Sequence, residues 1–220
     1  MNTLTEIYIF LKNPNAIQID EISNKEKIFW RIFLIQFIVL LLHALVWLLM
    51  SALGVKIPVN NVRQAVFDFY GDYAYLFICV IGPVIEETLL RLPLKLQKKM
   101  LIVSSGIPFI YVLGRLFSDV NTGRIIGLLF LLLYFIFAIS VSQSYLDYLK
   151  KMHYKKIIWG SIFIFTLLHL SNYGSFYFFN VIFLLPIFSA AIFITYLRCL
   201  LGFRYGIAFH ILFNLMLMLL

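Results

Sequence analysis

Charge is what this sequence has least of. Only 13% of its 220 residues are Asp, Glu, Lys or Arg, against 63% hydrophobic, and the mean hydropathy is +0.97. A soluble domain is roughly half apolar and a quarter charged. That composition excludes a water-soluble globular domain and reads as one integral-membrane domain over residues 1–220. Acidic residues are the scarcer kind, 10 against 18 basic, for a net charge of +8. The excess is not a nucleic-acid surface, because Lys and Arg sit in short clusters between apolar runs, as the positive-inside rule expects. Cysteine is almost missing. Cys79 and Cys199 lie in apolar runs with no neighbour at metal-ligand spacing. They read as inert packing residues. No HExxH is present either. The first 28 residues lack an apolar core ending in a small-residue cleavage site, so no cleavable signal peptide is expected.

What is there is apolar helix. A bilayer core of about 30 Å takes roughly 20 residues of helix. Seven stretches fit: Ile32–Leu53, Tyr73–Leu94, Met100–Phe117, Ile125–Leu146, Ile157–Leu170, Phe176–Leu197 and Tyr205–Leu220. The expected fold is all-α, a polytopic bundle of about seven transmembrane helices. The fifth and seventh are short, the third contains Gly106 and Pro108, and no internal repeat stands out. Ahead of them, Leu4, Ile7, Phe10 and Leu11 recur at helical spacing. They predict a short amphipathic helix over Thr3–Leu11 on the membrane surface, ended by Asn13-Pro14-Asn15.

Basic residues alternate in density from one connection to the next. The N-terminal lead-in, Lys95 to Lys99, Lys150 to Lys156, and Arg198 with Arg204 carry thirteen. Lys56, Arg63, Arg115 and Arg124 are the four on the other side, with an uncharged turn at Ser171 to Ser175. The rich side is expected in the cytoplasm. A multi-pass plasma-membrane protein follows, with its N-terminus inside and, after seven crossings, its C-terminus outside.

The second segment contains Glu86-Glu87-Thr88-Leu89-Leu90-Arg91. Charge at membrane depth costs several kcal/mol on insertion scales and marks a functional site by default. Glu87 and Arg91 are i,i+4 and share a helix face, where they can pair. Glu86 is turned about 100° from Glu87, which leaves it for other work. Gly82-Pro83 precedes them, and a helical proline frees a backbone carbonyl. A structural ion pair near a helix end explains Glu87 and Arg91 but explains Glu86 poorly.

The fifth segment contains Phe165-Thr166-Leu167-Leu168-His169, and the seventh His210-Ile211-Leu212-Phe213-Asn214. A lone histidine in an apolar helix is more often a core residue. A histidine and an amide aligned i,i+4 in lipid need a shared partner or cavity. His43 has no polar companion at helical spacing and reads as core; His153 sits among the lysines and reads as solvated. Gln143, Asn172 and Asn180 lie near segment ends and need no special role. By rise per residue, His210 lies about 9 Å above Arg204 and His169 about 20 Å above Lys156.

Glu86, His169, His210 and Asn214 form a set suited to hydrolysis. A carboxylate or imidazole takes a proton from water, and a second imidazole with an amide stabilises an oxyanion. Two His and a Glu (Glu86, His169, His210) are equally a zinc set. Spacing alone leaves both open.

EExxxR, FxxxH and HxxxN, in that order and in separate helices, resemble the motifs of the CAAX protease and bacteriocin-processing (CPBP, or Abi) family of intramembrane proteases. The resemblance covers Tyr73 to the C-terminus. It implies a helical membrane bundle with a conical cavity open to the cytoplasm. Glu86 and His169 would activate water, and His210 and Asn214 would hold the oxyanion. Glu87 and Arg91 would support the site, and Phe165 would pack beside it. Members have been described both as metalloproteases and as metal-independent glutamate enzymes; with no third tightly spaced ligand visible, no cofactor is expected, zinc being the alternative. The implied activity is endopeptidase cleavage of hydrophobic or membrane-associated peptides, with membrane lipid as the surrounding partner. Prenylated substrates belong to the eukaryotic branch and are not assumed. Two other classes compete. One is a non-catalytic bacteriocin self-immunity or partner-binding membrane protein. The other is a transporter or proton relay, which would more often show internal symmetry.

Overall fold

The computed structural model describes residues 3–15, 24–55, 60–116, 122–173 and 180–219. Lys56, the last two residues of the predicted turn Ser171 to Ser175, and the predicted segment ends Phe117, Phe176 and Leu220 lie outside the described residues. Within them the chain is all-helical, with no strand beyond a single bridge between Asn60 and Tyr173. The helices are α1 (Thr3–Lys12), α2 (Lys25–Ala52), α3 (Asn61–Tyr70), α4 (Ala74–Leu76) and α5 (Gly82–Leu90). They continue with α6 (Lys98–Leu116), α7 (Thr122–Ser140), α8 (Gln143–Leu168), α9 (Asn180–Leu200) and α10 (Phe203–Leu219). A π turn, Phe77–Ile81, lies between α4 and α5. The chain forms two compact units, Met1–Pro83 with Ile158–Leu220, and Val84–Ile157.

In the first unit the expected N-terminal helix is present, with its buried face differently placed. Thr3, Ile7 and Phe10 are buried, whereas Leu4 is 52% exposed. Tertiary contacts set this face. Phe10 meets Tyr196 edge-on at 5.5 Å, Glu6 accepts from the Tyr196 hydroxyl at 3.2 Å, and the Leu11 carbonyl accepts from Trp159 Nε1 at 3.2 Å. Helix α2 starts where Asn24 accepts from the Lys27 N–H at 2.9 Å, an N-cap. It buries one stripe, Phe29, Ile32, Gln36 and Leu40. Its other faces expose Leu34, Leu41, Leu45 and Leu48, an apolar surface suited to lipid rather than water. Helices α9 and α10 form a hairpin. Leu201 and Gly202 both donate to the Leu197 carbonyl, at 2.8 and 3.1 Å, and Gly202 takes φ +114°, which side chains resist. Arg198, expected at the surface, is instead 2% exposed. Its guanidinium lies 4.9 Å from the Phe203 ring centroid, and its place in the last turn of α9 suits the helix dipole.

In the second unit α6 and α7 pack on each other, joined by a 2.7 Å hydrogen bond between Ser104 and Tyr134. Gly106 and Pro108 do not break α6. The fourth predicted segment needs correction: α7 stops at Ser140, and the stretch from Lys150 to Lys156 is helix, not loop. The chain bends by 104° there. Ser142 accepts from the Tyr145 N–H at 3.2 Å and caps a new helix. Its buried positions Leu146, Tyr154 and Ile158 keep helical spacing through the lysines, which are good helix formers. His153 accordingly lies in α8, half-buried, with its ring 6.0 Å from Tyr148.

Among the described residues three helical stretches are long and apolar enough to cross a membrane: Lys25–Ala52, Asn61–Lys95 and Ile182–Leu200. There are up to four if the bent pair Ile125–Ser140 and Gln143–Leu168 is one span. Phe203–Leu219 is apolar but shorter.

Candidate functional site

The predicted residues fall in both units. Glu86, Glu87 and Arg91 belong to Val84–Ile157. Helix α5 puts Glu87 and Arg91 one turn apart, and Arg91 Nη1 donates to Glu87 Oε1 at 2.5 Å with both side chains 0% exposed. At that burial neither charge has bulk water to screen it, so each ion depends on its immediate partners. Thr88 donates to the Val84 carbonyl at 2.7 Å, which satisfies its hydroxyl within the helix. The Glu86 side chain is partly accessible, with Oε2 out of solvent.

Phe165, His169, His210 and Asn214 belong to the other unit. Phe165 is nearly fully buried at the end of α8. The His169 ring lies 4.5 Å from it, tilted, and the His210 ring 5.4 Å from it, edge-on. One phenylalanine thus gathers the two motif histidines. His169 Nδ1 lies 2.8 Å from the Phe165 carbonyl. Only a protonated nitrogen can donate to a carbonyl, so the neutral ring carries its proton on Nδ1 and its lone pair on Nε2. That is the form a proton acceptor needs. His210 is 1% exposed and belongs to the buried stripe of α10, with Gly206, Phe209 and Phe213.

Asn214, one turn further along α10, is half-buried and donates from Nδ2 to the Ile78 carbonyl at 2.8 Å. His43 meets Phe183 edge-on at 5.6 Å, a packing contact.

Gln36 and Ser189, which sequence reasoning passed over, and Gln143, which it gave no special role, each make defined hydrogen bonds. Gln36, 0% exposed in α2, donates to the Pro186 carbonyl at 3.1 Å and accepts from Ser189 at 2.9 Å. A glutamine inside an apolar run was the available signal. Ser189 completes that bond from α9. Gln143 donates to the Leu96 carbonyl and accepts from the Lys98 N–H, both at 3.1 Å. It thereby holds the left-handed Leu96 (φ +50°) at the start of α6.

Among the described residues no group of three His, Cys, Asp or Glu stands where it could hold a metal ion. No family model, curated protein or solved structure matches this chain.

Proposed function

We propose that the chain is an intramembrane endopeptidase of the CAAX protease and bacteriocin-processing type, acting on hydrophobic or membrane-associated peptides. The observation that carries this is the meeting of His169 and His210 on Phe165, with Asn214 one turn beyond. These are the histidines of FxxxH and HxxxN, and their meeting on one ring supports a shared site. On this reading Glu86 and His169 take the proton from water. The water oxygen attacks the peptide carbonyl, His210 and Asn214 stabilise the oxyanion, and the C–N bond breaks as the amine receives the proton. Phe165 holds the two imidazoles, while Glu87 and Arg91 support the helix that carries Glu86.

Around this site we place seven crossings of the plasma membrane, with a cytoplasmic N-terminus. The thirteen-to-four distribution of basic residues and the apolar exposed faces support that topology. A C-terminal reporter active only outside the cytoplasm is the expected result; one active only inside refutes it.

The enzymatic assignment is tested with purified protein in detergent and candidate peptides in H2(18)O. Cleavage should place 18O in the new carboxyl terminus. Each of His169→Ala and His210→Ala should slow turnover by about 100-fold or more. Parent-like turnover in both variants ends the assignment. Metal analysis of active protein decides the cofactor.

A non-catalytic immunity or partner-binding role has its own support. The buried Glu87–Arg91 pair and the Asn214–Ile78 bond both hold the fold without any chemistry. Protection of cells by the Glu86→Ala protein would favour that role.

A further inference from the structure

The hydrogen bond of Asn214 answers a deficit created by Pro83. In an α-helix the Ile78 carbonyl would accept from the Gly82 N–H. Here Gly82 donates to Phe77 instead, closing the π turn. In a continued π-helix Ile78 would accept from residue 83, which is proline and has no N–H. Neither helical donor reaches that carbonyl. It lies inside the apolar stretch Asn61–Lys95, where a backbone oxygen must be satisfied by protein. Asn214 Nδ2 supplies the bond, from a helix that packs on the π turn.

We infer that Pro83 is a positioning residue: by withholding its N–H it reserves the Ile78 carbonyl for Asn214 and fixes which way that amide faces. An asparagine nitrogen carries two N–H groups. With one turned to Ile78, the second is held in a set direction on the same nitrogen. The value of that second donor to an oxyanion rests on the proteolytic assignment; the link between Pro83, Ile78 and Asn214 does not.

The link is tested by a double-mutant cycle in detergent, combining Pro83→Ala with Asn214→Ala. Residue 83 as alanine regains an N–H that competes for the freed carbonyl. Asn214→Ala should lower the melting temperature by about 3 °C in the parent and by far less in the Pro83→Ala background. Equal losses in both backgrounds overturn the inference. A second readout works without any Asn214→Ala protein. With asparagine 15N-labelled, the Asn214 side-chain amide, identified by its disappearance in Asn214→Gln, should shift and exchange faster in Pro83→Ala. An unmoved resonance also overturns it. Where the parent cleaves a peptide, Pro83→Ala should lower kcat about tenfold with little change in KM. An unchanged kcat refutes the positioning role. If the parent cleaves nothing, the proteolytic assignment fails alone, since the melting cycle still decides the link.

Discussion

In Val84–Ile157 the deepest charges are cancelled within one helical turn, Arg91 on Glu87. In the other unit two neutral amide side chains, Asn214 and Gln36, find partners far away in sequence. Asn214 reaches Ile78 across 136 positions, and Ser189 reaches Gln36 across 153. The difference is one of fragility. A buried ion stripped of its partner keeps its full desolvation cost. A neutral donor stripped of its acceptor loses about one hydrogen bond. The ionic cluster should therefore fail sharply and locally, and the neutral cluster gradually, through loosened helix packing.

The sharpest break expected is in the ion pair. Arg91→Leu should destabilise the protein by about 4 kcal/mol, and Glu87→Leu with Arg91→Leu should recover most of that loss, because no charge is then left buried. Thermal melts of the single and double variants in detergent give both values. A double variant no better than the single would mean that the pair does not behave as one unit.

Removing the shared aromatic in the neutral cluster should rank next. Phe165→Ala opens a cavity between two imidazoles and should cost about 3 kcal/mol. It should also broaden the imidazole resonances of His169 and His210 together. Broadening of only one would show that the rings are not held by a common partner.

Gln36→Leu removes the bonds to Pro186 and Ser189 while keeping bulk, and should cost about 1 kcal/mol, as polar contacts between membrane helices typically do. The smallest change expected is Tyr196→Phe, which loses the hydroxyl bond to Glu6 for less than about 1 kcal/mol. Limited proteolysis should then cut α1 faster while α9 stays protected. Equal protection in both proteins would show that this hydroxyl does not hold α1 in place.

Legibility follows the same division. The Glu87–Arg91 pair was readable because a spacing of four puts two side chains on one helix face whatever the tertiary fold. That some carbonyl ahead of α5 is freed was readable from Gly82-Pro83, but an α-helical register puts it at Cys79, and the π turn that shifts it to Ile78 was not read. Nor was its partner, because nothing near Ile78 in sequence points to Asn214. The N-terminal helix was legible, but its buried face was set by Tyr196 and Trp159. The lysines from Lys150 to Lys156 read as a loop because charge usually ends an apolar segment. Ser142 as a cap and the Leu146–Tyr154–Ile158 stripe were the overlooked helical signals. Arg198 read as a surface charge because a stripe of lone basic residues gives no hint of an aromatic ring folded over it.

The central claim is that two adjacent carboxylates divide their labour, Glu87 serving the fold and Glu86 serving water. The most direct measurement is the turnover of Glu86→Gln against the parent at matched melting temperature, on a peptide the parent cleaves. The expected result is an unchanged melt with turnover reduced about 100-fold or more. Parent-like turnover in the folded Glu86→Gln protein would contradict it.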